Sequence, residues 1–255
     1  NEVNNILPNL TPKVIYKNID PYFFVMEYYD KNQYPLWKNE LFNLKLDSIF
    51  TKNVAINLGK IHSKTYKKSD IAKKFDTIKL FEDLRIDPYI RSTALLHDDI
   101  KNQLFSIADN LHKSKIALVH GDISPKNILI NNKNPIFLDA ECAWFGDPVF
   151  DISFCLNHII LKSVVLEKIN KELMKLFNTL TKNYLTNVLW EDPKKYEKRI
   201  IIVLSSLMLS RIDGKSPVEY INSELQKNKV RNFAKSVLKK PLNSLLEFSE
   251  KWLIN

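Results

Sequence analysis

The stretch from Lys115 to Asp151 restricts the fold more than any other part of this sequence. Two short apolar runs, "KIALV" and "ILI", flank the polar loop "HGDISPKN", and the turn "NNKN" sends the chain back along "PIFLDA". Short β-branched runs bounded by turn residues predict strands. Polar side chains between buried strands must be satisfied locally or put to use. The flanking sequence is mainly helical in period. The chain must therefore seat one small β-hairpin, with polar loops at its ends, inside a mostly helical body.

Upstream, Val3, Ile6, Leu7 and Leu10 recur at helical spacing until "TPKV" breaks the pattern. "KVIY" and "YFFVMEYY" predict two adjacent strands, and the polar "DKNQYPLWKNE" marks a lobe boundary or crossing. From Asp47 to Tyr66 the period is helical, with His62 read as a packed histidine beside Val54, Leu58 and Ile61. Residues 75–97 and 100–112 predict further helices, with loops at "RIDPY" and "HDD". After "GDP", helices are predicted over 149–166, 166–189, 196–211, 217–238 and 241–253. No repeat or low-complexity linker interrupts them.

With 255 residues, 45% hydrophobic and 26% charged, the chain has the profile of a soluble globular protein of one large domain or two unequal lobes. The net charge of +9, from 38 Lys+Arg against 29 Asp+Glu, is spread along the sequence. Without an RNP, zinc-finger or arginine-rich signature it reads as a solvated surface, and no nucleic-acid partner is expected. The longest apolar run, Ile200 to Leu209, is well short of the ~20 residues of a membrane helix. Cys142 and Cys155 read as reduced thiols, so a cytoplasmic protein with no membrane partner is expected. The only glycines are Gly59, Gly121, Gly146 and Gly214, which leaves no Gly-rich phosphate loop.

Acidic residues cluster around the predicted hairpin: Asp122 in "HGD", Asp139 and Glu141 in "LDAE", Asp147 and Asp151 in "GDPVFD". The return of the hairpin lets Asp122 and Asn127 face Asp139. An Asn oxygen with an Asp carboxylate suits Mg2+, which takes few protein ligands and completes its shell with phosphate and water oxygens. A separate carboxylate accepts a proton from a hydroxyl during phosphoryl transfer. Asp122 fits the second role, Asn127 with Asp139 the first.

"HGDISPKN", "IFLDAE" and "GDPVFD", in that order and spacing, resemble the H-G-D-x-x-x-x-N, D-x-E and G-D-P-x-x-D blocks of the aminoglycoside phosphotransferase and choline kinase-like small-molecule kinases. "FFVMEYY" is similar to the family's inter-lobe hinge and "LGKIHSKT" to its first long C-lobe helix. The resemblance implies an α+β, protein-kinase-like two-lobe fold. Residues 1–29 would be the remainder of the N-lobe and the hinge. Residues 30–255 would be a mostly helical C-lobe whose small β-hairpin carries the catalytic loops. The family's nucleotide loop and phosphate-gripping lysine would lie before residue 1, and the N-lobe looks incomplete.

The resemblance also implies roles. Asp122 would be the catalytic base, with Asn127 and Asp139 holding Mg2+ on the nucleotide phosphates. His120 and Asp151 would support the loop. Met26, Glu27, Tyr28 and Tyr29 would meet the adenine through backbone groups. Glu2 stands where a helix glutamate would pair with the missing lysine. Lys126 either neutralises the transferring phosphoryl group or is a surface lysine. Glu141 either touches a water-bridged metal or caps the loop. On the acceptor side, Trp144 is an aromatic-wall candidate, with core packing as its rival. Arg211 and Asp213, in the turn "SRIDGKSPVEY", are candidates for the acceptor pocket, with capping as theirs. The implied activity is Mg2+-dependent transfer of a nucleotide's terminal phosphate, from ATP with GTP kept open, to a hydroxyl of a small molecule. A non-catalytic kinase-like binding protein is the rival; a dinuclear phosphatase lacks its histidine context, and a protein kinase its H-R-D and D-F-G.

Overall fold

The computed structural model describes residues 2–255. The chain opens with α1 (Glu2–Ile6) and an antiparallel pair, β1 (Val14–Ile19) and β2 (Tyr22–Met26), joined across a cis Asp20–Pro21 bond. Every side chain of β2 is exposed, so this hairpin stands outside the main core. Next come α2 (Trp37–Phe42) and α3 (Ser48–Thr65). Asp47 starts α3 by accepting the N–H groups of Ile49 and Phe50 at 2.9 and 3.0 Å, a cap worth about 1 kcal/mol. Phe50, Val54, Leu58 and His62 of α3 are buried at a four-residue spacing, the stripe that faces the core.

Helices α4 (Ser69–Lys74) and α5 (Ile78–Phe81) lead into a π-helical stretch, Glu82–Arg91, which runs out through α6 (Ser92–Ala94). The loop expected at "RIDPY" is therefore absent: the backbone stays helical through Pro88. A wider turn relieves the clash of a proline ring with the preceding turn. Arg85 Nη1 donates to the Leu84 carbonyl at 2.9 Å within this stretch.

After α7 (Lys101–Lys113), the segment 117–146 forms two small ladders instead of one. β4 (Ile128–Asn131) and β5 (Asn134–Phe137) make the expected hairpin, with Ile128 opposite Phe137. β3 (Ala117–Val119) pairs antiparallel with β6 (Trp144–Gly146), placing Leu118 opposite Phe145. The extra ladder closes the polar loops between two sets of backbone hydrogen bonds.

The remainder is α8 (Val149–Val165), α9 (Asn170–Leu185), α10 (Pro193–Asp213), α11 (Glu224–Lys239) and α12 (Leu245–Leu253). α11 begins only at Glu224, so the helix expected from Pro217 is shorter, and 217–223 cross the end of α10 as an irregular segment. α8 is buried from Val149 to Val164 and packs on both α9 and α10, which makes it the axis of the core. Among the described residues no single helix is long and apolar enough to cross a membrane.

Candidate active site

The loop after β3 is fixed from beneath. Asp151, in the first turn of α8, accepts the backbone N–H groups of His120 and Gly121 at 2.8 and 2.9 Å. Its Oδ2 also meets His62 Nε2 at 3.2 Å, and His62 Nδ1 meets the Tyr184 hydroxyl at 2.8 Å. Asp151, His62 and Tyr184 are fully buried, so this network fixes the loop backbone with few degrees of freedom left. Gly121 adopts φ +82°, where a Cβ would stand 2.6 Å from the Cys142 carbonyl oxygen.

Asp122 is buried on this support. Its Oδ2 lies 3.0 Å from Arg85 Nη2 and 3.1 Å from Lys126 Nζ, while Oδ1 is buried without any hydrogen-bond partner. Arg85 Nε donates to the Gly121 carbonyl at 2.7 Å, which ties the loop to the π-helical stretch. His120 Nδ1 accepts the Asp122 N–H at 3.2 Å. Burial lowers the His120 pKa against the opposing fields of Asp151, Asp122 and Asp139, so the ring is neutral with its proton on Nε2. The arrangement engages one carboxylate oxygen twice and leaves the other without a donor among the described residues.

The turn Pro125–Asn127 brings Asn127 back under Asp122. Asn127 Nδ2 donates to the Asp122 carbonyl at 3.2 Å, and no hydrogen bond from the described residues reaches Oδ1. Leu138 N–H donates to the Asn127 carbonyl at 2.8 Å, so Asp139 sits one residue further along at φ +64°. That left-handed conformation is uncommon for a residue other than glycine. Asp139 is exposed, and its carboxylate has no hydrogen-bond or ion-pair partner among the described residues. Both residues line a cavity of about 730 Å3, together with Phe24, Met26, Phe137 and Glu141. Among the described residues no group of three or more His, Cys, Asp or Glu is placed to hold a metal. A two-oxygen site of this kind fits Mg2+, which completes its shell with phosphate and water oxygens.

The remaining sequence candidates are distributed unevenly. Glu2 lines the cavity, and its carboxylate pairs with Lys74 at 3.1 Å. Glu27 accepts the Lys13 N–H and the Tyr29 hydroxyl, both at 3.0 Å, and Tyr28 is exposed. Two acceptor-side candidates are corrected. Trp144 is buried and stacked on Phe81 at 3.3 Å between ring centroids, a core side chain whose ring walls no opening. Asp213 binds His97 Nε2 at 3.0 Å and Arg231 at 2.8 and 2.7 Å, an interhelical tie with no free oxygen left for a ligand. Arg211 points inward instead, its guanidinium 5.4 Å from the centre of the Tyr89 ring.

Arg85 escaped the sequence reading. It lies far from the motif in sequence, inside a segment expected to loop, and no local pattern marks it. Its guanidinium stands 5.9 Å from the same Tyr89 ring, so Asp122, Arg85, Tyr89 and Arg211 form one continuous contact path.

A crystal structure of a choline/ethanolamine kinase family protein from Mesorhizobium loti superposes with a TM-score of 0.57 at 14% identity, covering 99% of this chain and 79% of the other. The structure of the choline kinase LicA from Streptococcus pneumoniae gives a TM-score of 0.46 at 16% identity over 93% of this chain and 77% of that one. No curated protein matches the sequence. The first of these likenesses makes the fold protein-kinase-like. The model of the phosphotransferase enzyme family matches residues 14–167, more than half of the chain and all three motif blocks, so the chain belongs to that family.

Proposed function

We propose that this phosphotransferase is a small-molecule kinase that moves the terminal phosphoryl group of ATP or GTP to an alcohol, with Mg2+. The observation that carries the reading is the division of labour on one short loop. Asp122 keeps a buried Oδ1 with no hydrogen-bond partner among the described residues, while Asn127 and Asp139, on either side of the same turn, line the cavity. Residues 1–29 are then the nucleotide-side lobe and hinge, with Met26 to Tyr29 along the base, and residues 30–255 carry the acceptor.

Asp122 Oδ1 takes the proton of the acceptor hydroxyl as that oxygen bonds to the terminal phosphorus. The bond from phosphorus to the bridging oxygen breaks, and the electron pair leaves on the nucleoside diphosphate. Arg85 and Lys126 hold Oδ2 and thereby aim Oδ1. Mg2+ held by Asn127 and Asp139 would offset the phosphate charge. The exposed ammonium of Lys126 also lies close enough to offset charge on the transferring group.

A purely binding role is disfavoured by Asp122 itself. An orphaned buried oxygen costs roughly 1–3 kcal/mol unless a donor meets it, and on this loop the acceptor hydroxyl is that donor. Cys142 and Cys155 are free thiols whose pKa values burial pushes up to about 11 and about 12, inert groups that suit a reducing cytoplasm. The test is Asp122→Asn, which should lower turnover by roughly 10²–10⁴-fold while nucleotide affinity holds. A folded variant with near-normal turnover would refute the assignment.

A further inference from the structure

Resting on the kinase reading, we propose that the acceptor is an anionic alcohol, whose carboxylate or phosphate is held by Lys162 and Arg211 beside the catalytic loop.

The argument begins in α8, which is buried along its length yet carries Asn157, His158 and Lys162 among its apolar residues. Asn157 has both side-chain polar atoms buried without a partner, and His158 Nε2 is in the same state. On α10 and in the segment after it, Arg211 Nε and the Tyr220 hydroxyl are likewise buried and unpartnered among the described residues, and the Tyr220 ring meets Lys162 of α8. Each such group costs roughly 1–3 kcal/mol if nothing fills it. A cluster from two helices and the segment after them therefore marks a place that a polar molecule occupies.

The sign of the cluster is set by its charges. Lys162 is 1% exposed, and its Nζ lies 5.1 Å from the ring centre of Tyr220 and 5.5 Å from that of Phe42. No carboxylate among the described residues stands within ion-pair distance of it. Arg211 likewise reaches only the Ser216 carbonyl and hydroxyl and the Tyr89 hydroxyl. His158 is neutral, its pKa lowered well below the usual value by burial and then by the fields of Lys162, Arg211, Lys126 and Lys38. The charges that act on this imidazole after burial are thus all positive and come from four different segments. The carboxylates beside them are Glu219, engaged by Lys38 at 2.6 Å, and Asp122, engaged by Lys126 and Arg85. Elsewhere buried or half-buried cations find acidic partners, as Arg91 does with Glu82 and Asp109.

The location fits an acceptor. Lys126 Nζ lies 3.1 Å from the catalytic carboxylate, and α2, which carries Lys38 and Phe42, packs on the turn Pro125–Asn127. A cationic amino alcohol is disfavoured here. It would meet like charges, and the aromatic faces of Phe42 and Tyr220 that would attract it already hold the Lys162 ammonium.

The test uses the full chain, with D-glycerate as carboxylate probe, glycerol 3-phosphate as phosphate probe, and choline and glycerol as cationic and neutral controls. Thermal unfolding is followed with each probe alone and, separately, with Mg2+ and ATP alone. At least one anion should raise Tm and be phosphorylated, while the controls do neither. In Lys162→Met, KM for that anion should rise roughly 10–100-fold with kcat changed only a few-fold, as expected on losing a charge-assisted contact. A lysine with a purely structural role would leave that KM where it was. Preference for choline or glycerol, or no Tm change with either anion, would overturn the proposal. If an anion stabilises the chain but Mg2+ and ATP together do not, the kinase reading fails and the anion site stands.

Discussion

Arg85 and Asp122 meet as a buried pair, Nη2 to Oδ2 at 3.0 Å, between a π-helical stretch and the loop after β3. The arginine is held in turn by the Gly121 carbonyl, so its fork positions the carboxylate and the backbone beside it together. Arg85→Ala should cost about 3 kcal/mol, the low end for breaking a buried pair because Lys126 still compensates Asp122. Turnover should fall at least tenfold. Arg85→Lys keeps the charge but not the fork and should recover stability more than rate. Tm and kcat on the two variants check this, and a folded Arg85→Ala with unchanged kcat would remove Arg85 from the positioning role.

Gly121→Ala places a methyl group at φ +82°, 2.6 Å from the Cys142 carbonyl oxygen. The backbone must move, and strain of this kind costs about 1–3 kcal/mol. Because Asp122 is the next residue, kcat should drop along with Tm. Gly121→Ala with wild-type Tm and kcat would mean that the loop yields more freely than its hydrogen bonds indicate.

Asp151→Asn retains the shape of the side chain but replaces one acceptor oxygen with an NH2 group aimed at a backbone N–H. One of the bonds to His120 or Gly121 is lost, and roughly 1–3 kcal/mol of stability with it. Denaturant unfolding measures the loss directly, and a variant as stable as wild type would contradict the anchoring role.

Much of this site was legible because its chemistry is local. Asp122, Asn127 and Asp139 lie on one hairpin, and short strands with a tight turn dictate that they come together. What the sequence hid depends on distance or context. His62, which meets Asp151, comes from α3, and Tyr184, which meets His62, comes from α9. Pro88 reads as a helix breaker, yet a π turn carries the chain through it. Trp144 beside "GDP" leaves a site wall and core packing both open, and its stacking on Phe81 makes it core. Lys162 sits in an apolar run that reads simply as buried helix.

Lys162 gives a pH dependence with a definite sign. Burial, with the charges of Lys38 and Arg211 assisting and those of Glu219 and Cys155 opposing, lowers its pKa from 10.5 to about 7. Between about pH 7 and 10.5 the unfolded chain binds more protons at this residue than the folded one, so its contribution makes stability rise with pH. Lys162→Met removes that contribution. Its Tm should exceed the wild-type value at pH 7, and the gap should narrow as pH approaches 10. A constant gap across that range would contradict a lowered lysine pKa. In the same window KM for an anionic acceptor should climb as the ammonium loses its proton. His158 and Tyr220, the other groups facing it, carry no charge there to reverse the trend.

The most direct measurement is thermal unfolding of the wild-type chain and Asp139→Asn, each with Mg2+, with ATP, and with both. A wild-type Tm that rises only when metal and nucleotide are present together, with the rise lost in Asp139→Asn, is the predicted result. Ligand at 100 times its Kd would correspond to about 2.7 kcal/mol of added stability. An equal rise in Asp139→Asn, or one that persists without metal, would contradict the assignment of Asn127 and Asp139 as the oxygen ligands that bring Mg2+ and phosphate to Asp122.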